Sequence, residues 1–147
     1  MNDTEQLPFV LQDLDHIVLR ARNADRLIQF YETVLGCKVE RALDIGLTQL
    51  RAGNALIEIV DAKSSLGLRG GDPPPEANSG RNVDHFCMTI AAFDEDRLRQ
   101  HLSVHGVSFE FARRVYGAQG YGPSVYLQDP EGNTVELKGP SGPSSQA

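Results

Sequence analysis

Clusters of basic residues are missing from this 147-residue chain. It carries 14 Lys and Arg against 20 Asp and Glu, a formal charge of -6. No run of cations offers the footprint that a nucleic-acid backbone requires. Long apolar runs are missing too; the longest are strand length, against the roughly 20 residues that span a bilayer. The opening residues, MNDTEQLPFVLQDLD, have neither the basic start nor the apolar stretch of a secretory signal. Cysteine is scarce. Cys37 and Cys87 alone make no disulfide framework and fit reduced thiols in a cytoplasmic setting. The chain also lacks a G-x-S-x-G elbow, a P-loop and a G-x-G-x-x-G stretch, so hydrolase, NTPase and Rossmann readings have no support.

What is present is 40% hydrophobic content, enough for one core, and a repeated plan. The first copy starts with LDHIVLRA (14–21), which alternates as a strand does. NADRLIQFYETVLG follows. Asn23 is placed to cap a helix, Leu27, Phe30, Tyr31, Val34 and Leu35 recur at helical spacing, and Gly36 stands at the stop. KVERALD, GLTQLRA and NALIEIVD read as three short strands with tight breaks between them. The second copy starts with NVDHFCMTI (82–90), followed by the helix DEDRLRQHLSVHG. Asp94 is its N-cap, Phe93 and Leu98 are spaced as a hydrophobic staple, and Gly106 ends it. SFEFARR, SVYLQD and NTVELKG complete the copy, with DPEG (129–132) as a type I turn. The order is βαβββ twice. AKSSLGLRGGDPPPEANSG (62–80), rich in Gly, Pro and Ser, reads as a linker or mobile loop, and the tail GPSGPSSQA as flexible.

The repeat places His16 and His85 at one matched point and Glu58 and Glu136 at another. Glu58 lies inside an apolar strand, where an unpaired ionised carboxylate would cost several kcal/mol or more. Two imidazoles and two carboxylates meeting at one point would offer a divalent metal an N₂O₂ set. Nickel, cobalt, zinc, iron and manganese all suit it. Alone, each of these residues reads as an ordinary strand side chain; matched in two copies, they read as a site. RRVYGAQGYGPS (113–124) reads either as a flap that brings Tyr116 or Tyr121 onto a substrate or as a long hairpin loop. His101 and His105, four apart, read as helix-surface residues, with His105 favoured by the C-terminal dipole. Cys87 shares the His85 face, as a site residue or as a small hydrophobe.

The motifs LDHIVL, FYETVLG, ALIEIVD, VDHFCM and DPEGNTVEL together resemble the vicinal oxygen chelate superfamily. That group holds glyoxalase I, extradiol dioxygenases, methylmalonyl-CoA epimerase and the fosfomycin and bleomycin resistance proteins. The resemblance covers about residues 12–139 as a single domain: module one at 12–61, the linker at 62–80, and module two at 81–139. Residues 1–11 and 140–147 are left as flexible termini. It implies an α+β fold whose two βαβββ modules form a curved, eight-stranded mixed sheet around one divalent metal.

The family's ligand positions fall on His16, Glu58, His85 and Glu136. Glu rather than Gln at 58, and four ligands rather than three, resemble glyoxalase I most. That implies a metal-dependent lyase or isomerase acting on the hemithioacetal of a 2-oxoaldehyde and a thiol such as glutathione, through a metal-stabilised enediolate. Glu136 is then the base and Glu58 its counterpart. The alternatives are an iron(II) extradiol dioxygenase and a small-molecule-binding resistance protein without turnover. Arg20 and Arg81 resemble positions where glyoxalase I members carry glutathione-contacting arginines; they read equally well as solvated strand-end charges. The resemblance also implies a homodimer, with modules paired within one chain or exchanged between two.

Overall fold

Each half of the chain folds as strand, helix and three strands in a computed structural model that describes residues 7–72 and 80–142. The middle of the expected linker (73–79) and the outer parts of the two expected flexible termini (1–6 and 143–147) lie outside the described residues. The first half contains β1 (His16–Ala21), α1 (Ala24–Thr33), β2 (Lys38–Leu43), β3 (Leu47–Ala52) and β4 (Ala55–Asp61). A 3₁₀ turn at Gly67–Gly70 follows. The second half contains β5 (Phe86–Thr89), α2 (Glu95–Val104), β6 (Phe109–Gly117), β7 (Gly120–Gln128) and β8 (Thr134–Lys138).

The class is α+β, and the eight expected strands fall into two four-stranded mixed sheets. Their orders are β1-β4-β3-β2 and β5-β8-β7-β6. In each sheet the helix carries the chain across, so the first strand runs parallel to the last and the other pairs are antiparallel. β1 and β5 stand at the sheet edges. Both are shorter than their hydrophobic patterns suggest: residues 14 and 15 and residues 82–85 precede the paired stretch.

Helix ends follow the capping chemistry in the sequence. The Asn23 side chain accepts from the Arg26 amide and that of Asp94 from the Arg97 amide, each at 3.1 Å. Gly36 and Gly106 adopt positive φ (73° and 67°), the left-handed geometry that lets the chain leave a helix without a Cβ clash. The DPEG turn closes through the Gly132 amide to the Asp129 carbonyl at 2.9 Å.

One face of each sheet is covered by its helix. Leu19, Ala21, Leu50, Ile57 and Ile59 pack with Leu27, Phe30 and Tyr31 of α1, and Val125, Leu127, Val135 and Leu137 pack with Leu102 of α2. These belong to one continuous core, so the modules meet through their helix-bearing sides. Polar links cross that junction, among them the following. The Tyr31 hydroxyl donates to Asp129 at 2.8 Å, a His101 ring nitrogen lies 2.7 Å from the Val34 carbonyl, and Glu131 accepts from the Arg22 amide at 2.6 Å. Among the described residues no helix is long and apolar enough to cross a membrane.

Candidate metal centre

The site begins with strand alternation. On β4, Ile57 and Ile59 face the core, so Glu58 faces the opposite side of the sheet, and on β8 the same rule puts Glu136 opposite Val135 and Leu137. Both carboxylates are nonetheless buried, at 5% and 3% exposure. Parallel pairing then supplies each with an imidazole. His16 Nε2 lies 3.2 Å from Glu58 Oε2, and His85 Nε2 lies 3.2 Å from Glu136 Oε1. The preceding aspartates hold the other ring nitrogen: Asp15 Oδ2 and Asp84 Oδ2 each sit 2.6 Å from Nδ1. The same Asp-His-Glu triplet is therefore built twice.

The remaining carboxylate oxygens are held by neighbours on the adjoining strand. In the first sheet Gln49, the register partner of Glu58, donates to Glu58 Oε1, and Arg41 donates to the Gln49 amide oxygen at 2.7 Å. In the second, Ser124 Oγ donates to Glu136 Oε2 at 2.6 Å. Tyr126 is the register partner of Glu136, and its ring lies edge-on to His85 with centroids 5.6 Å apart. Burial raises the Tyr126 phenol above its ordinary pKa, and the hydrogen bond and negative charge of Glu136 add to the rise. The Asp15 hydrogen bond raises His16, with the Glu58 charge acting in the same direction.

Within one chain the structure brings His16 to Glu58 and His85 to Glu136, but it does not bring one pair to the other. Among the described residues no group of three or more His, Cys, Asp or Glu side chains could hold a metal ion. The physical reason is the junction between the modules. They pack through their helix-bearing sides, and the His-Glu pairs occupy the opposite face of each sheet. A cleft of about 1020 Å³ does lie between the modules, walled by Leu11, Leu14, Met88, Ile90, Leu98 and Leu102 among others. Its walls include none of the four metal-type residues.

The other expected residues are placed as follows. Arg20 shares the His16 face but turns to the 3₁₀ turn, donating to the carbonyls of Gly67, Gly71 and Asp72 at 2.9–3.2 Å. Arg81 donates to the Asn133 side chain and the Glu131 carbonyl, bracing the turn before β8. Residues 113–124 are hairpin rather than flap, with Tyr116 paired to Tyr121 across a two-residue turn. Tyr121 meets Tyr116 edge-on and lies beneath the Arg114 guanidinium, which is 3.5 Å from its ring centre. It shares the strand face of Val125 and Leu127, so it points away from the Glu136 side. His105 Nδ1 lies 2.9 Å from the His101 carbonyl at the end of α2.

Cys87 is the register partner of Glu136; the residue as a whole is exposed, and its sulfur is partly enclosed. Burial of the sulfur environment, then the adjacent Glu136 charge, pushes its pKa up to about 12. Gln49, Ser124 and Tyr126 were not identified from sequence. The signal that finds them is their shared parity on strands flanking Glu58 and Glu136, which needs the register.

Comparison with known proteins finds relatives in sequence and in structure. The model of the Glyoxalase/Bleomycin resistance protein/Dioxygenase superfamily matches residues 13–137. A glyoxalase domain-containing protein, RDO1, of Mycosarcoma maydis is 29% identical over 90% of this chain and 71% of its own. A glutathione transferase, FosA, of Serratia marcescens is 27% identical over 87% of this chain and 81% of its own. Among solved structures, an integron cassette protein of Vibrio cholerae superimposes with a TM-score of 0.69 at 26% identity, covering 92% of this chain and all of that one.

Proposed function

The chain belongs to the Glyoxalase/Bleomycin resistance protein/Dioxygenase superfamily, and on that premise we propose a metal-dependent lyase or isomerase of glyoxalase type, acting on a small carbonyl-thiol adduct. The observation that carries this reading is the duplicated Asp-His-Glu triplet. In the tautomer that directs the Nδ1 proton to the aspartate, Nε2 turns its lone pair to a carboxylate oxygen at 3.2 Å. Two acceptors opposed at that distance require a cation between them, either a proton or a metal. Aspartate on the second ring nitrogen also fixes the tautomer and ring orientation that a metal-ligating histidine needs. The donors fit a divalent ion such as nickel, cobalt, zinc, iron or manganese.

His16 and Glu58 would hold one side of that ion, and a second copy of the chain would bring the partner subunit's His85 and the partner subunit's Glu136 to the other. Two facts support a homodimer of this kind. The half-sites lie on opposite-facing sheets of one chain, and the edge strands β1 and β5 carry exposed apolar residues at or just before them, including Leu14, Val18 and Val83. When bound, the metal would act as a Lewis acid toward the substrate oxygens.

The protein's own groups supply the rest. Glu136 takes the proton from the carbon bearing sulfur and returns it to the neighbouring carbon. Ser124 fixes the orientation of that carboxylate, and Tyr126 closes the space beside it. Glu58, fixed by Gln49, stands as the counterpart on the other side. General base catalysis of this sort typically contributes about 10²- to 10⁴-fold.

The test is metal analysis of the purified chain together with an assay on methylglyoxal plus glutathione, with and without oxygen. Turnover with nickel, cobalt or zinc and no need for oxygen is expected. Turnover confined to iron(II) with oxygen on a catechol would replace this reading with a dioxygenase. Retention of a small ligand after metal removal, with no turnover, would replace it with a binding protein.

A further inference from the structure

Lys138 follows Glu136 by two residues on β8 and therefore lies on the same sheet face, roughly 7 Å further along the strand. It is only 4% exposed. Its register partners are Thr89 on β5 and Ser124 on β7, the latter being the serine that holds Glu136. The ammonium donates to Ser141 Oγ at 2.9 Å, and none of the ion pairs among the described residues includes it. A buried ammonium whose hydrogen bond goes to a neutral hydroxyl, and which makes no ion-pair contact among the described residues, gains when an anion joins it.

The surrounding backbone keeps room for this side chain. A Cβ at Gly117 would stand 3.0 Å from Lys138 Cε, and one at Gly122 would stand 2.9 Å from Nζ. The lysine stem thus lies along a track that two hairpin glycines leave open. Its charge also reaches the face that carries Glu136: it opposes the rise of the Cys87 thiol, on the strand beside it.

We propose that Lys138 forms a recessed oxyanion subsite beside Glu136, selecting substrates that carry a carboxylate, phosphate or phosphonate group near the reacting carbon. The inference rests on the Glu136 face being the reaction site, and it names the substrate class that this face accepts. A substrate with its reacting carbon at Glu136 would direct its anionic group along the same sheet face, toward Lys138. The ammonium then exchanges the Ser141 hydroxyl for a full negative charge.

The alternative role is a staple that ties residues 139–142 to the β6–β7 hairpin through Ser141. Calorimetric titration of the full chain with inorganic phosphate, and separately with acetate, distinguishes the two. The chain is kept metal-free by a chelator, so that binding reports Lys138 and not a metal. The native chain is expected to bind at least one of the anions. Tighter phosphate would assign a phosphate or phosphonate substrate, and tighter acetate a carboxylate. Lys138→Met should weaken that binding by about tenfold or more, while Ser141→Ala, which leaves the charge in place, should keep it. Gly117→Ala crowds Cε without removing charge and should weaken binding as well, which covers the case in which Lys138→Met does not fold. Absence of anion binding by the native chain would overturn the subsite. So would undiminished binding by a folded Lys138→Met or, where that variant does not fold, by Gly117→Ala. The metal content and turnover of the loaded protein report separately on the proposed reaction.

Discussion

The Tyr31 hydroxyl donates to Asp129 across the junction between the two modules, at 2.8 Å, and both groups are buried. Asp129 also accepts from the amides of Glu131 and Asn133 and from the Asn133 side chain. One carboxylate thus shapes the DPEGN turn and ties it to α1. Tyr31→Phe should cost about 1 kcal/mol, because Asp129 keeps its other donors. Asp129→Ala should cost about 3 kcal/mol, since it leaves a buried phenol and a turn without their acceptor. Denaturant unfolding of both single variants and the double variant gives the coupling, and additive losses would show that the contact contributes nothing of its own.

The same carboxylate predicts a pH dependence. Burial raises Asp129 above its ordinary value despite the opposing hydrogen bonds. The folded state therefore holds this proton more tightly than the unfolded chain. The resulting stabilisation is fully present below the unfolded pKa, about 3.9, and is lost as pH rises through the raised folded value. The unfolding free energy of the native chain minus that of Asp129→Asn should fall with rising pH across that window and be flat above it. A rising difference would contradict the assignment.

Arg20 closes the segment after β4 by donating to three backbone carbonyls. Arg20→Ala should speed amide exchange in residues 64–72 and leave KM for a glutathione adduct unchanged. A large rise in KM with exchange unaltered would return Arg20 to the substrate role that its position resembles.

Ser124→Ala should lower kcat by roughly 10- to 100-fold, the usual cost of removing a hydrogen bond that orients an active carboxylate or its metal. KM should change little, because the hydroxyl acts through Glu136 and not on substrate. Equal losses in kcat and stability would instead mark Ser124 as a packing residue.

Composite sites make a sharper prediction. Neither His16→Ala nor His85→Ala alone should retain an intact site. Mixed dimers of the two variants would hold one site lacking both histidines and one that is complete. Mixing the unfolded variants and refolding them together should therefore restore metal binding and turnover, up to one site per mixed dimer. No restoration would place all four ligands within one chain.

Much of this organisation was legible in the amino-acid order, for physical reasons. Capping at Asn23 and Asp94 and the turn at Asp129 are local events, decided by side chains within a few residues of the backbone they satisfy. The matched His and Glu positions were visible because the repeat compares the chain with itself. Register was not visible, and with it went Gln49, Ser124 and Tyr126. The glycines of RRVYGAQGYGPS disguised a hairpin as a loop, since Gly117 and Gly122 serve the passage of Lys138 and not chain flexibility. Arg20 and Arg81 were read from strand parity alone, and parity does not say which carbonyls a long side chain will reach.

The edge positions of β1 and β5 carry a kinetic consequence for the proposed dimer. A protein whose working parts are completed only by encounter has a specific activity that depends on how much of it is present. On dilution below the dimer dissociation constant, turnover per milligram should decline with time. On reconcentration it should return with second-order kinetics in protein. In that dimer, edge strands that pair between copies would also leave the separated chains open to mispairing, so recovery should be incomplete after long storage at low concentration.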